Sequence, residues 1–284
     1  MPDEAAMIPT LPPPYVRPYP VLGLGTWRMG EAARRRKEEV AALRLGLDLG
    51  LTLVDTAEMY ADGEAETIVG EAIAGRRGDV ILVSKVLPEN ATRRGTVAAC
   101  ERSLRRLKTD CLDLYLLHWR GTPPLAETLA GFEDLLSAGK IADWGVSNFD
   151  VDDMRELASL GPAKACATNQ VLYNLGRRGI EFDLAPWCAE HAIAIMAYSP
   201  VEQGRLIRHP GLRQLAADRG VSPAQLALAF VLDRPGTVAI PKTSSPEHLR
   251  ENIAALTVRL DDADRARLAE LFPPPRRAVP LEML

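Results

Sequence analysis

Eight short runs of apolar, β-prone residues recur along the chain. They end at Gly25 (VLGLG), Asp55 (LTLVD), Ser84 (DVILVS), Leu117 (LDLYLL), Val146 (IADWGV), Gln170 (CATNQ), Tyr198 (IAIMAY) and Ile240 (TVAI). Between them lie stretches with helical periodicity, among them KEEVAALRLGLDLG, EAETIVGEAIAG, TVAACERSLRRLK and LAETLAGFEDLLSAGK, the last carrying the glycine of a helix stop. Successive strand ends are 24 to 42 residues apart, enough for a right-handed βαβ crossover each time; the longest interval holds two helical patterns, at 208–219 and 222–233. Continuously apolar strands alternating with amphipathic helices call for a parallel sheet covered by helices. Eight such units fit a closed barrel better than an open doubly wound sheet, and no GxGxxG follows the first strand. The expected fold is α/β, a (β/α)8 TIM barrel in a single domain.

The expected organisation is a proline-rich segment at 1–20, with seven prolines, followed by the barrel at 21–284. The first segment is expected to pack across one end of the barrel or to fray. A helical pattern at 261–271 precedes a tail, FPPPRRAVPLEML. With 47% hydrophobic and 25% charged residues the chain has material for a large core, and 284 residues is an ordinary length for one barrel.

A formal charge of −4 leaves no basic field for nucleic acid or anionic lipid, so neither is an expected partner. The run Arg34, Arg35, Arg36, Lys37 is followed by Glu38 and Glu39 and reads as a solvated helix start. The four cysteines, Cys100, Cys111, Cys166 and Cys188, show no CxxC spacing and read as free core thiols of a reducing compartment. No secretory h-region and no run of 18 apolar residues is present. A cytoplasmic location is expected.

In such a barrel, reactive groups sit just beyond the carboxyl ends of the strands. Asp55, Lys85 and His118 follow strands 2, 3 and 4 directly, and Tyr60 lies five residues past Asp55, ahead of a helix opening near Glu64. Singly, each has an ordinary reading: a turn-capping aspartate, a snorkelling lysine, a structural histidine. Jointly they form a carbonyl-polarising and protonating site. Lys85 would lower the pKa of Tyr60, Asp55 would keep Lys85 charged, and His118 would hydrogen-bond a carbonyl oxygen. A metal site is not expected: His118, His191, His209 and His248 form no HxH or HExxH. No GxSxG elbow occurs, and no cysteine ends a strand with a histidine partner.

The ordered motifs LGLGTW, VDTAEMYADGEAE, VSKV, LDLYLLHW, WGVSNF, NQVLYN, YSP and IPKTSSPEHLRENIAAL resemble those of the aldo/keto reductases, from about Val21 to Leu271, in particular the bacterial methylglyoxal-reductase-like members. The resemblance implies hydride transfer from NADPH to an aldehyde or ketone with Tyr60 as proton donor, supported by Asp55, Lys85 and His118. It also implies a cofactor set. Gly25, Thr26, Trp27 and Asp55 would belong to it; Ser147, Asn148 and Gln170 would bind the carboxamide, and Tyr198 would stack on the nicotinamide. The loop from Ser199 through Pro200 and Gly204 to Leu206 would run along the pyrophosphate, where Glu202 and Gln203 stand in place of the usual small apolar residues and Arg205 could compensate. Lys242, Thr243 and Ser244 or Ser245 would hold the 2′-phosphate, with Glu251 and Asn252 near the adenine. His248 stands where many NADPH-using members carry arginine, which leaves preference over NADH open.

Local alternatives remain for several of these residues: a helix cap for Ser147 or Asn148, an ordinary Ser-rich cap ahead of Pro246, a core aromatic for Tyr198. Trp27, Met59 and Trp119 would line the substrate pocket, with Leu281, Met283 and Leu284 closing over it. The expected partner is a small carbonyl compound, and the expected state a monomer. Two other classes stay open: a cofactor-binding regulatory subunit that senses redox state with little turnover, and a hydrolase or lyase on the same scaffold.

Overall fold

The computed structural model describes residues 7–15, 17–161 and 165–284; residues 1–6 and Val16 of the proline-rich segment lie outside them. Eight strands, β1 (Leu24–Gly25), β2 (Leu53–Asp55), β3 (Ile81–Val86), β4 (Leu112–Leu117), β5 (Ile141–Ser147), β6 (Thr168–Leu172), β7 (Ala194–Tyr198) and β8 (Thr237–Ala239), form one parallel sheet in sequence order. The sheet curls until its edges meet. Leu22 bridges Ala239 in parallel, the Gly23 amide donates to the Ala239 carbonyl at 2.9 Å, and the Gly25 amide donates to the Pro241 carbonyl at 3.1 Å. Glycine is required at this seam, because a Cβ at Gly25 would sit 2.7 Å from the Ile240 carbonyl oxygen.

Helices α1 (Arg36–Asp48), α2 (Glu64–Ala72), α3 (Arg93–Leu107), α4 (Leu125–Ser137), α5 (Val151–Ser159) and α6 (Leu184–Glu190) each follow the strand of the same number. Two helices, α7 (Pro210–Asp218) and α8 (Pro223–Leu232), fill the long interval before β8, and α9 (Pro246–Ala254) and α10 (Asp262–Leu271) follow it. The arginine run at 34–37 does open α1, with Arg36 paired to Glu64 and Glu71.

Side-chain alternation along each strand divides the core in two. Outward residues join the helices in one continuous apolar layer. Inward residues Leu53, Val83, Leu114, Leu116, Ala194, Met196, Val238 and Ile240 form a second cluster inside the curled sheet. Leu11 and Tyr19 belong to that inner cluster as well, so these two residues anchor the segment, while Met7, Pro9, Thr10 and Pro12 to Pro14 stay exposed. The Leu11 amide donates to the Tyr19 carbonyl at 2.9 Å, and Arg17 pairs with Asp143 near the start of β5. The segment thus covers the end of the strands opposite to Asp55 and Lys85. Among the described residues no helix is long and apolar enough to cross a membrane.

Leu114 has no exposed surface, whereas Met7 is 95% exposed. Leu114→Ala is expected to lower stability by about 2–5 kcal/mol through cavity formation, and Met7→Ala to stay within about 0.5 kcal/mol. Denaturant midpoints of the two variants measure the contrast.

Candidate active site

The inward rows that carry the apolar plug continue, two residues on, into polar side chains. Leu53 leads to Asp55, Val83 to Lys85, Leu116 to His118 and Met196 to Tyr198, all at the carboxyl ends of the strands. Lys85 is fully buried and its ammonium group is fully engaged: it donates to the Asp55 carboxylate at 2.8 and 2.9 Å, to the Thr56 carbonyl at 2.8 Å and to the Tyr60 hydroxyl oxygen at 3.2 Å. An ammonium has three protons, and three partners account for them. Because the Tyr60 oxygen accepts from Lys85, its own proton is left to point elsewhere. Asp55 is held in turn by the Gln170 side-chain amide at 2.8 Å, and its carbonyl accepts from Thr26 Oγ1 at 2.9 Å.

The turn that brings Tyr60 back over the barrel is costly. Ala61, Asp62 and Gly63 have φ of 50°, 53° and 90°, three consecutive left-handed residues before α2. Non-glycine residues held this way cost on the order of 1–3 kcal/mol each, and such strain gathers at functional sites. The His118 ring stands edge-on to Tyr60, with ring centroids 5.8 Å apart, and packs against Trp119 at 4.9 Å.

Burial and then the Asp55 charge push the Tyr60 phenol well above its ordinary value. This corrects the expectation that Lys85 would lower it. Burial is the larger cause and the Asp55 carboxylate adds to it, while Lys85 itself is drawn below the usual lysine value by burial. Burial, followed by the Lys85 charge, holds His118 well below the usual imidazole value. At neutral pH the site therefore contains a phenol that keeps its proton and a neutral imidazole. Together these can donate hydrogen bonds to an oxygen that gains charge.

A cleft of about 660 Å³ opens above these groups. Tyr60, Asp55 and His118 line one end, Lys242, Thr243, His248, Glu251 and Asn252 the other, with Gly25, Thr26, Trp27, Ser147, Asn148, Gln170, Tyr198, Ser199, Pro200 and Gly204 between. Lys85 lies behind this wall. The cap of α5 belongs to Asp150, which accepts from the Asp152 and Asp153 amides at 2.9 Å; Ser147 and Asn148 are thereby released from that duty. Asn148, with φ of 56°, instead accepts from the Tyr198 hydroxyl at 2.9 Å. The cap of α9 is Ser245, with Pro246 behind it.

Besides Lys85, three expected residues, Leu206, Ser244 and Leu281, are off the cleft wall, and Leu281 packs on the outer core. Leu206 faces the outer apolar core and Ile207 lines the cleft in its stead; Ser244 is buried beneath Thr243, and its hydroxyl has no hydrogen-bond partner among the described residues. Glu202 turns away from the cleft and is taken up by Asn174, Arg177 and Arg205. The wall also holds Gln203 of the loop expected along the pyrophosphate, and residues that sequence reasoning passed over, among them Arg28, Ile207 and Ala224. Arg28 has φ of 66° and its guanidinium lies 4.4 Å from the centre of the Trp27 ring. Its place directly after GTW was the one available signal.

Trp27 and Met59 are each 36% exposed, so they serve as cleft wall rather than core, and half-buried Trp119 adjoins them. All four cysteines are free, and burial raises Cys100, Cys166 and Cys188 to about 12, leaving protonated thiols.

The lowered His118 pKa predicts a stability effect. In the folded chain His118 resists protonation, while the unfolded chain takes up a proton below about pH 6.5, so stability must fall as pH drops through that value. His118→Asn is expected to lose less stability than the parent between about pH 7 and pH 5. Thermal melts across that range give the comparison.

Comparison with known proteins adds an independent line. Residues 21–272 match the model of the aldo/keto reductase family. The chain is 52% identical over 270 residues to methylglyoxal reductase YeaE of Escherichia coli, covering 93% of this chain and 95% of that protein. Two crystal structures of an aldo/keto reductase from Klebsiella pneumoniae superpose closely. The complex with NADP and acetate has a TM-score of 0.92 at 50% identity, covering 98% of this chain and all of that one. The complex with NADPH has a TM-score of 0.94 at 51% identity, with the same coverage. With a family model spanning most of its length and a relative half identical along nearly all of it, the chain belongs to the aldo/keto reductase family.

Proposed function

We propose that this chain is an NADPH-dependent reductase of small aldehydes, ketones and dicarbonyls of the methylglyoxal kind, built as a single-domain (β/α)8 barrel, monomeric and cytoplasmic. The observation that carries the reading is the hydrogen-bond order at Lys85. With Asp55, the Thr56 carbonyl and the Tyr60 oxygen as its three acceptors, Lys85 leaves the Tyr60 proton free to be given to a substrate oxygen.

Whether the residues suit the cofactor can be tested on the cleft itself. Its middle offers amide and hydroxyl groups, from Ser147, Asn148 and Gln170; the end away from Tyr60 offers Lys242 and Thr243 beside the start of α9, a place that favours a phosphate by cation and helix dipole together. Ser147, Asn148 and Gln170 would hold the carboxamide, Tyr198 would lie against the ring, and Lys242 and Thr243 would meet the 2′-phosphate. When bound, the nicotinamide would supply the hydride.

The chain's own groups do the rest. His118, neutral and edge-on to Tyr60, orients a carbonyl oxygen by hydrogen bonding. The charge growing on that oxygen makes it far more basic than a phenolate, so a phenol with a raised pKa still transfers its proton downhill. Lys85, donating to the phenol oxygen, keeps that oxygen an acceptor and leaves the Tyr60 proton turned toward the substrate. Trp27, Met59 and Trp119 would give the substrate an apolar wall beside the oxygen being protonated. The free thiols suit a reducing compartment.

Tyr60→Phe is expected to lower kcat for methylglyoxal reduction by about 100-fold or more while NADPH still binds; unchanged turnover would refute the assignment. Lys242→Ala is expected to raise KM for NADPH by about tenfold with little effect on NADH, as loss of one charge-assisted phosphate contact requires. Equal effects on both cofactors would remove Lys242 from the phosphate site. If the parent binds NADPH tightly but reduces no simple aldehyde, the regulatory-subunit reading takes its place.

A further inference from the structure

One side chain joins two parts of the cleft wall that are far apart in sequence. Arg177, in the turn after β6, donates from Nε and Nη2 to Glu202 Oε1 at 3.1 and 3.0 Å, and from Nη1 to the Glu282 carboxylate. Glu202 lies in the loop after β7, between Ser199 and Gly204, both on the wall. Glu282 directly precedes Met283 and Leu284, which line the same cleft.

The surroundings make this more than a surface pair. Glu202 is 5% exposed at φ of 50° and also accepts from Asn174 at 2.8 Å and Arg205 at 2.7 Å. Burial alone would oppose its ionisation, but the bonds from Arg177 and Asn174 hold its pKa below the ordinary carboxylate value. The segment 278–282 lies along a groove with Arg177, Gly179, Ile180 and Asp183, and Leu281 packs on the outer core. Only a guanidinium, with five donors in a fixed fork, can grip Glu202 through two nitrogens and still reach Glu282 with a third.

We propose that Arg177 and Glu282 are positioning residues for the substrate end of the cleft. Resting on the reductase reading above, the proposal is that the chain Glu202–Arg177–Glu282 ties the loop expected along the cofactor to Met283 and Leu284. The fit around a small carbonyl compound then depends on contacts remote from the reacting atoms. Without the tie, Met283 and Leu284 lose their fixed position, small substrates lose apolar contact, and bulky ones gain room.

The test uses Glu282→Gln, at a side chain 44% exposed, and Arg177→Lys, which keeps the charge beside Glu202 but not the fork. NADPH binding is followed by tryptophan fluorescence, turnover with methylglyoxal and with a bulky aromatic aldehyde, and amide hydrogen exchange at residues 281–284. Both variants are expected to raise the methylglyoxal KM about fivefold with kcat within about twofold, to narrow the preference for methylglyoxal over the bulky aldehyde, and to speed exchange at 281–284. Glu282→Gln should leave NADPH affinity unchanged. An unaltered methylglyoxal KM in Glu282→Gln overturns the proposal whether or not exchange quickens, and a raised KM with unaltered exchange overturns it too. Failure of the parent to bind NADPH is a separate outcome that overturns the reductase reading, and this proposal with it.

Discussion

The buried pair of Lys85 and Asp55 lies where the inside of the barrel changes from apolar packing to chemistry. Moving a lysine to a place with no exposed surface is unfavourable by several kcal/mol unless its charge and its three protons are all met. Here the Asp55 carboxylate, the Thr56 carbonyl and the Tyr60 oxygen meet them, and the Gln170 amide secures Asp55 in turn. Removing one partner of such a pair leaves an uncompensated charge that costs about 3–5 kcal/mol. The same arrangement that makes the pair tolerable also orders the phenol above it. In the proposed mechanism the lysine contributes orientation rather than a lowered phenol pKa.

The barrel makes this possible by geometry alone. Alternation along parallel strands brings inward side chains from β2, β3, β4, β6 and β7 to one rim, and the curled sheet directs them to a common centre. The rim is where backbone strain collects: Arg28, Asn148, Ser199 and Gln203 on the cleft wall, and Ala61 and Asp62 beside Tyr60, all have positive φ without being glycine. The opposite end, stopped by Leu11 and Tyr19, carries the packing that holds the rim in shape.

Much of this was legible before any coordinates. Each strand ends within two residues of its expected position, since the apolar runs are β-rich and cleanly bounded. Asp55, Lys85, His118 and Tyr60 could be read as one site because the rule for strand ends in barrels is geometric. What could not be read is where neighbouring side chains compete. The sign of the Tyr60 shift depends on burial and on the charge of Asp55, neither of which spacing reveals. Leu206 and Ile207 exchange roles in a short turn whose rotation has no period to follow. Glu202 looked like a charge set against a phosphate, and only the fold brings Asn174 and Arg177 from the turn after β6 to turn it inward.

The claim at the centre of this account is that Tyr60 stays protonated, aimed by Lys85, beside a neutral His118. The single-turnover rate of methylglyoxal reduction by the NADPH-loaded protein, followed from about pH 6 to pH 8, tests it most directly. A raised phenol pKa and a depressed imidazole pKa both lie outside that window, so the rate should be level across it. A rate that rises or falls through a single ionisation near pH 7 would contradict the account, because Tyr60 or His118 would then be changing its proton within that window.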